Sequence, residues 1–121
     1  MATVLIADDA SVIRIMLNSI LTANGHTVVG EAITGTESVE KYKQLKPDLV
    51  TMDITMPELD GVAATKAIMD FDPEAKIIIV SAMGQKNMIV HAIQAGAKYY
   101  LIKPFTQEKV IETINAVLKQ S

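Results

Sequence analysis

The chain has 121 residues, 50% of them hydrophobic and only 4% aromatic, and its formal net charge is −3. This length suits one domain with an aliphatic core, and the absence of a basic excess argues against unaided binding to nucleic acid. The absence of cysteine excludes disulfides and cysteine-ligated zinc. There is neither a signal-peptide pattern nor an apolar run of about 18 residues. We therefore expect a single domain over 1–121, monomeric and cytoplasmic, with no membrane partner.

Short β-branched runs alternate with stretches of helical spacing along the chain. The predicted strands are Thr3–Ala7, Val28–Ala32, Leu49–Asp53, Lys76–Ser81 and Lys98–Ile102. The first helix ends at Asn24-Gly25, a pair typical of a left-handed cap, and the second begins with a capping box from Thr34 to Glu37 and closes by Pro47. Further helices are predicted over Val62–Met69, Gln85–Ala95 and 110–118. This alternation predicts an α/β fold in which five helices cover both faces of a five-stranded parallel sheet.

Polar residues stand where the predicted strands end. Asp8 and Asp9 follow the first strand, Asp53 ends the third, Ser81 ends the fourth and Lys103 follows the fifth. Each residue alone has an ordinary explanation as a helix cap, a turn residue or a solvated strand end. In a parallel sheet, however, these positions share one edge, where open α/β sheets bind their ligands. The joint pattern therefore predicts a functional site.

Clustered carboxylates indicate what such a site would bind. Two of them about 4 Å apart repel by about 4 kcal/mol at an effective dielectric constant of about 20, so the cluster needs a cation or a retained proton. Oxygen ligands favour Mg²⁺, with Mn²⁺ as a substitute. Lys103 and Ser81 add donors for phosphoryl oxygens, and a carboxylate would be the nucleophile of a phosphoryl transfer. The loop DDASV lacks the DxDx[TV] pattern of haloacid-dehalogenase-like phosphatases, and the chain has no glycine-rich nucleotide loop.

Several motifs together resemble those of response-regulator receiver domains. They are DD at 8–9, D-x-x-M-P-x-L-D-G at 53–61, VSAMG at 80–84, GA at 96–97 and KPF at 103–105. The resemblance covers essentially the whole chain and is greatest to the single-domain chemotaxis regulators of the family. It implies a flavodoxin-like, doubly wound sheet with strand order 2-1-3-4-5.

The resemblance also implies a role for each site residue. Asp53 would accept the phosphoryl group, and it would share a Mg²⁺ ion with Asp9, with Asp8 through water, and with the main-chain carbonyl of Thr55. Lys103 would contact the phosphoryl group.

A switch is implied as well. Ser81 would hydrogen-bond the phosphoryl group, and Tyr100 would be the aromatic residue that changes position with it. The bond between Lys103 and Pro104 would be cis, which places the lysine at a tight turn.

The partners implied by the resemblance are proteins. A sensor histidine kinase would supply the phosphoryl group, a flagellar motor switch protein or another phosphorylation-dependent target would receive the signal, and a phosphatase could end it. The chain would then catalyse only its own phosphorylation and dephosphorylation. Three alternatives remain open at this point: a phosphorelay intermediate, a receiver domain excised from a DNA-binding regulator, and a small Mg²⁺-dependent phosphatase.

Overall fold

A computed structural model describes residues 1–119, and the last two residues of the predicted domain, 120 and 121, lie outside the described residues. Five strands alternate with five helices. They are β1 (Thr3–Ala7), α1 (Ser11–Ala23), β2 (Thr27–Ala32), α2 (Gly35–Leu45), β3 (Leu49–Asp53), α3 (Gly61–Phe71), β4 (Ile77–Ala82), α4 (Lys86–Ala95), β5 (Tyr99–Lys103) and α5 (Gln107–Leu118). Within residues 1–119 no helix has the length and apolarity that crossing a bilayer requires.

All five strands are parallel, and they lie in the order β2-β1-β3-β4-β5. The predicted fold class and strand order are confirmed. β2 lies on one side of β1 at the edge of the sheet, and β3 lies on the other side of β1. The order therefore reverses between β1 and β3, and this is where a crevice opens at the carboxyl ends of the strands.

The sheet has an apolar cluster on each face. Residues such as Val50, Met52 and Ile79 pack with Ile68 of α3 on one face. Leu49, Ile78 and Val80 belong to the other cluster, which includes Leu17 of α1 and Ile114 of α5, as the two-residue period of a strand requires. Each fully buried aliphatic side chain contributes about 1.5–3 kcal/mol. The β3 and β4 runs lack polar alternation because both faces of these strands are covered.

The predicted element boundaries are correct to within one or two residues, except that α5 begins at Gln107, three residues before its predicted start. Both β4 and β5 lie one residue later than predicted, because the ladder continues to the pair Ala82↔Lys103 after the apolar runs have ended. Lys103 is therefore the last residue of β5 and does not follow it. The third helix begins at Gly61 because the Asp60 side chain accepts from the Ala63 N–H at 2.8 Å.

Smaller differences occur at other ends: β2 begins at Thr27, α4 begins at Lys86, and α3 continues to Phe71. The predicted second helix has the cap that its sequence indicated, since Thr34 accepts from the Glu37 N–H at 2.9 Å. Gly25 has φ of 85° after α1, in the left-handed region that glycine adopts without strain.

The loop from β3 to α3 folds tightly against the end of β3. The Gly61 N–H donates to the Ile54 carbonyl at 2.6 Å. A Cβ atom at Gly61 would overlap with the main-chain oxygen of Asp53. Only glycine allows this close approach, which holds the loop over the carboxyl end of β3.

Candidate functional site

Three carboxylates meet at the crevice between β1 and β3. Asp8, Asp9 and Asp53 each offer an oxygen, and these oxygens lie within 4.8 Å of one another. The two residues that face the sheet are buried, with relative exposures of 1% for Asp8 and 6% for Asp53, whereas Asp9 is exposed. The acidic residues that the sequence placed at one sheet edge are thus brought together.

Hydrogen bonds fix Asp8 at the end of β1. Its N–H donates to the Ala32 carbonyl at 3.0 Å, and its Oδ1 accepts from the Ala10 N–H at 2.9 Å. Arg14 Nη1 donates to the Asp8 carbonyl at 2.7 Å, while Arg14 Nε forms an ion pair with Glu31 at 2.9 Å. The Asp8 carboxylate therefore has little freedom to turn away from the crevice.

Lys103 reaches into the cluster from the end of β5. Its Nζ lies 3.0 Å from Asp8 Oδ2 and 3.3 Å from Asp53 Oδ1. One ammonium group cannot neutralise three carboxylates, so the crevice retains an excess of negative charge. That excess attracts a further cation.

The ionisation of the buried pair reflects this environment. Burial and, next, the charge of Asp8 raise the pKa of Asp53 to about 6, although Lys103 acts in the opposite direction. Burial lowers the pKa of Lys103, but the hydrogen bond with Asp8 and the charges of Asp53 and Asp8 raise it more, and the result lies above the ordinary value. At neutral pH both side chains are mainly charged, and Asp53 is held at an energetic cost.

The donors present fit a magnesium ion. All the clustered ligand atoms are carboxylate oxygens, and Mg²⁺ prefers one or two of these together with bound waters. Asp8 Oδ2 is buried, and its contact with Lys103 Nζ at 3.0 Å does not use all of its lone pairs, so it has capacity left for a metal-bound water. Thr55 follows β3 in the loop that Gly61 holds in place.

Ser81 is buried at the end of β4, but the structure does not join it to the carboxylates. Its hydroxyl lies 2.9 Å from Gln85 Oε1 and 3.0 Å from the Ala82 carbonyl, the two acceptors available to its single proton. Gln85 Nε2 in turn donates to Thr55 Oγ1 at 3.0 Å. Two of the predicted site residues are therefore linked to each other through a third residue.

Sequence reasoning missed Gln85. It stands at the N-cap of α4 and ends no strand, so the strand-end pattern could not select it. The available signal was its spacing, because a long amide side chain four residues after Ser81, beyond the turn at Gly84, can fold back to the strand end.

Tyr100 lies on β5, at one wall of an apolar groove. Its side chain is 44% exposed, and the groove, of about 520 Å³, extends along α4 past Val90 and Ile93. Gln85 also lines the groove, and its Nε2 donates to Thr55 in the loop after β3. The peptide bond between Lys103 and Pro104 is cis.

Comparisons with known proteins agree with this geometry. The family model described as response regulator receiver domain matches residues 4–115. The chemotaxis protein CheY of Thermotoga maritima is 58% identical over 116 residues, which are 96% of this chain and 97% of that one, and the CheY of Bacillus subtilis is 55% identical over 115 residues, or 95% and 96% of the two chains. A crystal structure of the CheX–CheY–BeF₃–Mg²⁺ complex from Borrelia burgdorferi superimposes with a TM-score of 0.93 at 36% identity, covering 98% of this chain and 90% of that one.

Proposed function

Because the chain belongs to the response regulator receiver family, as a CheY-type domain of two-component chemotaxis signalling, we propose that Asp53 is its phosphorylation site. A histidine kinase would supply the phosphoryl group, and the reaction would depend on Mg²⁺. The observation that carries this proposal is the Asp53 carboxylate, buried beside two further carboxylates and 3.3 Å from Lys103 Nζ.

Asp53 has the properties of the nucleophile. It is the carboxylate at the end of β3, at the point where the strand order reverses. With a pKa of about 6 it is mainly ionised at neutral pH, yet it is destabilised there by burial and by Asp8. One of its oxygens would form the new P–O bond while the P–N bond to the donor imidazole breaks and the imidazole nitrogen keeps the electron pair.

The other residues of the site would stabilise and orient the transferred group. The carboxylates of Asp9 and Asp53, the Thr55 carbonyl and, through a bound water, Asp8 would hold Mg²⁺, which would supply positive charge to the phosphoryl oxygens. Lys103, already placed between Asp8 and Asp53, can donate to one of those oxygens. The chain would be phosphorylated once and would not turn over exogenous phosphoesters.

The signal would leave through the groove beside Tyr100. An apolar groove next to the site, with a half-exposed tyrosine at its wall, offers a surface whose shape can change with phosphorylation. We propose a flagellar motor switch protein as the output partner, and a phosphatase that ends the signal. The complex of the Borrelia relative with CheX supports a CheX-type protein as a further binding partner.

Labelling with a small phosphodonor tests the proposal. The protein is incubated with acetyl phosphate and Mg²⁺, and mass spectrometry measures the added phosphoryl group. We expect one group for each wild-type chain, none on Asp53→Asn, and wild-type labelling of Asp70→Asn, which removes an exposed carboxylate on α3. Labelling of Asp53→Asn at the wild-type yield would show that another residue accepts the group, and continuous hydrolysis of a phosphomonoester by the wild type would favour a phosphatase.

A further inference from the structure

The Gln85 side chain bridges the carboxyl ends of two neighbouring strands. Its Oε1 accepts from the Ser81 hydroxyl and from the Ala82 N–H, both at 2.9 Å, and its Nε2 donates to Thr55 Oγ1 at 3.0 Å. The orientation of the amide is fixed by chemistry, because a main-chain N–H can only donate and must therefore face the oxygen. One side chain thus ties the end of β4 to the loop that follows β3.

This bridge holds the Ser81 hydroxyl away from Asp53. Asp53 pairs with Val80 in the sheet, and Val80 packs in the cluster on the α1 and α5 face. Ser81 is the next residue on the strand, so its side chain points to the opposite face, where Gln85 stands. Its single proton is occupied by Gln85 or by the Ala82 carbonyl.

We propose that Gln85 is a latch of the unphosphorylated state. It holds Ser81 and Thr55 together until an oxygen of a phosphoryl group on Asp53 replaces Gln85 as the acceptor of the Ser81 hydrogen bond. The inference rests on the proposed function and adds a residue to it. When Ser81 turns to the phosphoryl oxygen, Gln85 Oε1 loses one of its two donors on β4 and keeps only the Ala82 N–H, so the bridge to Thr55 is weakened. Gln85 is a positioning residue, since it acts on the site through these two hydroxyls.

The latch also connects the site to the groove. Gln85 is the N-cap of α4 and lines the groove that Tyr100 borders. The turn before it contains Gly84, at φ of 90° and with open space around its Cα. Loss of the Ser81 hydrogen bond therefore loosens the N-cap of α4 at the strand ends, and this gives the groove a second connection to Asp53 besides the one through Tyr100.

Binding of a phosphoryl mimic tests the latch. Fluoroberyllate with Mg²⁺ is titrated into the full chain, and Gln85→Met, which keeps the length of the side chain but removes its hydrogen bonds, is compared with wild type. Because the mimic no longer competes with the amide for Ser81, we expect about three- to tenfold tighter binding, the net effect of one or two neutral hydrogen bonds. Gln94→Met is the matched control, since Gln94 lines the same groove from the other end of α4, and its affinity should equal that of wild type.

A double-mutant cycle separates the bridge from general loosening of the loop. Thr55→Val removes the Oγ1 atom that Gln85 Nε2 contacts and keeps the side-chain shape. We expect it to tighten fluoroberyllate binding in the wild-type background and to have no further effect in Gln85→Met, because the bridge is already absent there.

The outcomes are distinguishable. A merely damaged site would bind fluoroberyllate more weakly, so only tighter binding by Gln85→Met supports the latch. Equal or weaker binding, with wild type binding normally, would overturn the latch and leave the proposed function standing. Additive effects of the two substitutions would likewise overturn the bridge. Failure of wild type itself to bind fluoroberyllate in Mg²⁺ would overturn both the proposed function and the latch.

Discussion

Replacing Asp53 by asparagine is expected to stabilise the metal-free protein at neutral pH. The substitution keeps the shape of the side chain and removes a charge that is buried beside Asp8. Lys103 retains its partner in the variant, because its Nζ lies 3.0 Å from Asp8 Oδ2. The site thus loses a repulsion without leaving a new unpaired charge.

The size of the effect follows from the raised pKa of Asp53. The folded protein binds the proton with a pKa of about 6, against a model value of 3.8 for the unfolded chain. Protonation therefore favours the folded state at low pH, and this contribution is lost as the pH rises from about 4 through about 6. At about 1.4 kcal/mol for each pH unit the full difference is about 3 kcal/mol, and solvent on the open side of the crevice reduces it to about 1–2 kcal/mol.

Urea denaturation between pH 4.5 and pH 7.5 measures this difference. Asp53→Asn should be more stable than wild type by about 1–2 kcal/mol at pH 7.5, which is about 4–8 °C in melting temperature. The gain should fall to about a third at pH 4.5, where wild-type Asp53 is mostly protonated. Asp70→Asn, on the surface of α3, should differ from wild type by less than about 0.5 kcal/mol. A gain in stability that does not depend on pH, or no gain at all, would refute the conclusion that the buried charge of Asp53 destabilises the folded protein.

Other substitutions test the counter-ion, the metal ligand and the loop. Lys103→Met should lower the free energy of unfolding by about 2–3 kcal/mol at pH 7.5, because Asp8 then stays buried without its cation. In urea denaturation most of this loss should disappear when Asp8→Asn is added. A loss that persists would mean that the packing of the lysine side chain, and not its charge, is responsible. Asp9→Ala should remove Mg²⁺-dependent labelling by acetyl phosphate without destabilising the metal-free protein, since Asp9 is exposed, and labelling at an unchanged rate would exclude it as a ligand. Gly61→Ala should lower the free energy of unfolding by more than about 3 kcal/mol, measured by thermal unfolding, because its Cβ overlaps with the main chain at the end of β3. Gly84→Ala has open space but a positive φ, and it should cost only about 1 kcal/mol. Equal costs would show that the loop after β3 moves to accommodate the Cβ.

The fold was predictable because it depends on patterns that extend over many residues. Apolar runs such as Ile77–Val80 indicate strands, and the cap at Thr34 indicates the start of a helix. Parallel pairing follows from the alternation of such strands with helices. The strand ends were less certain, since the last pair of the β4–β5 ladder contains Lys103, which no apolar pattern would place in a strand. Helix ends are similarly uncertain by one or two residues.

The candidate site was predictable only where the main chain alone decides the position. Asp8, Asp53 and Lys103 meet because the carboxyl ends of parallel strands share an edge. The partner of Ser81 depends instead on which way one hydroxyl points and on how far the Gln85 amide reaches. Side-chain torsions of this kind leave no periodic trace in a sequence.

The strand order has a consequence for when the protein becomes competent to react. Asp8 stands near the start of the chain and Lys103 near its end, yet the two are in contact only after β3 and β4 have taken their places beside β1. A nascent chain therefore has no Lys103 beside Asp8 and Asp53 until its last strand has docked. On the proposed function, a truncated product that lacks β5 would compete poorly with complete chains for phosphoryl groups.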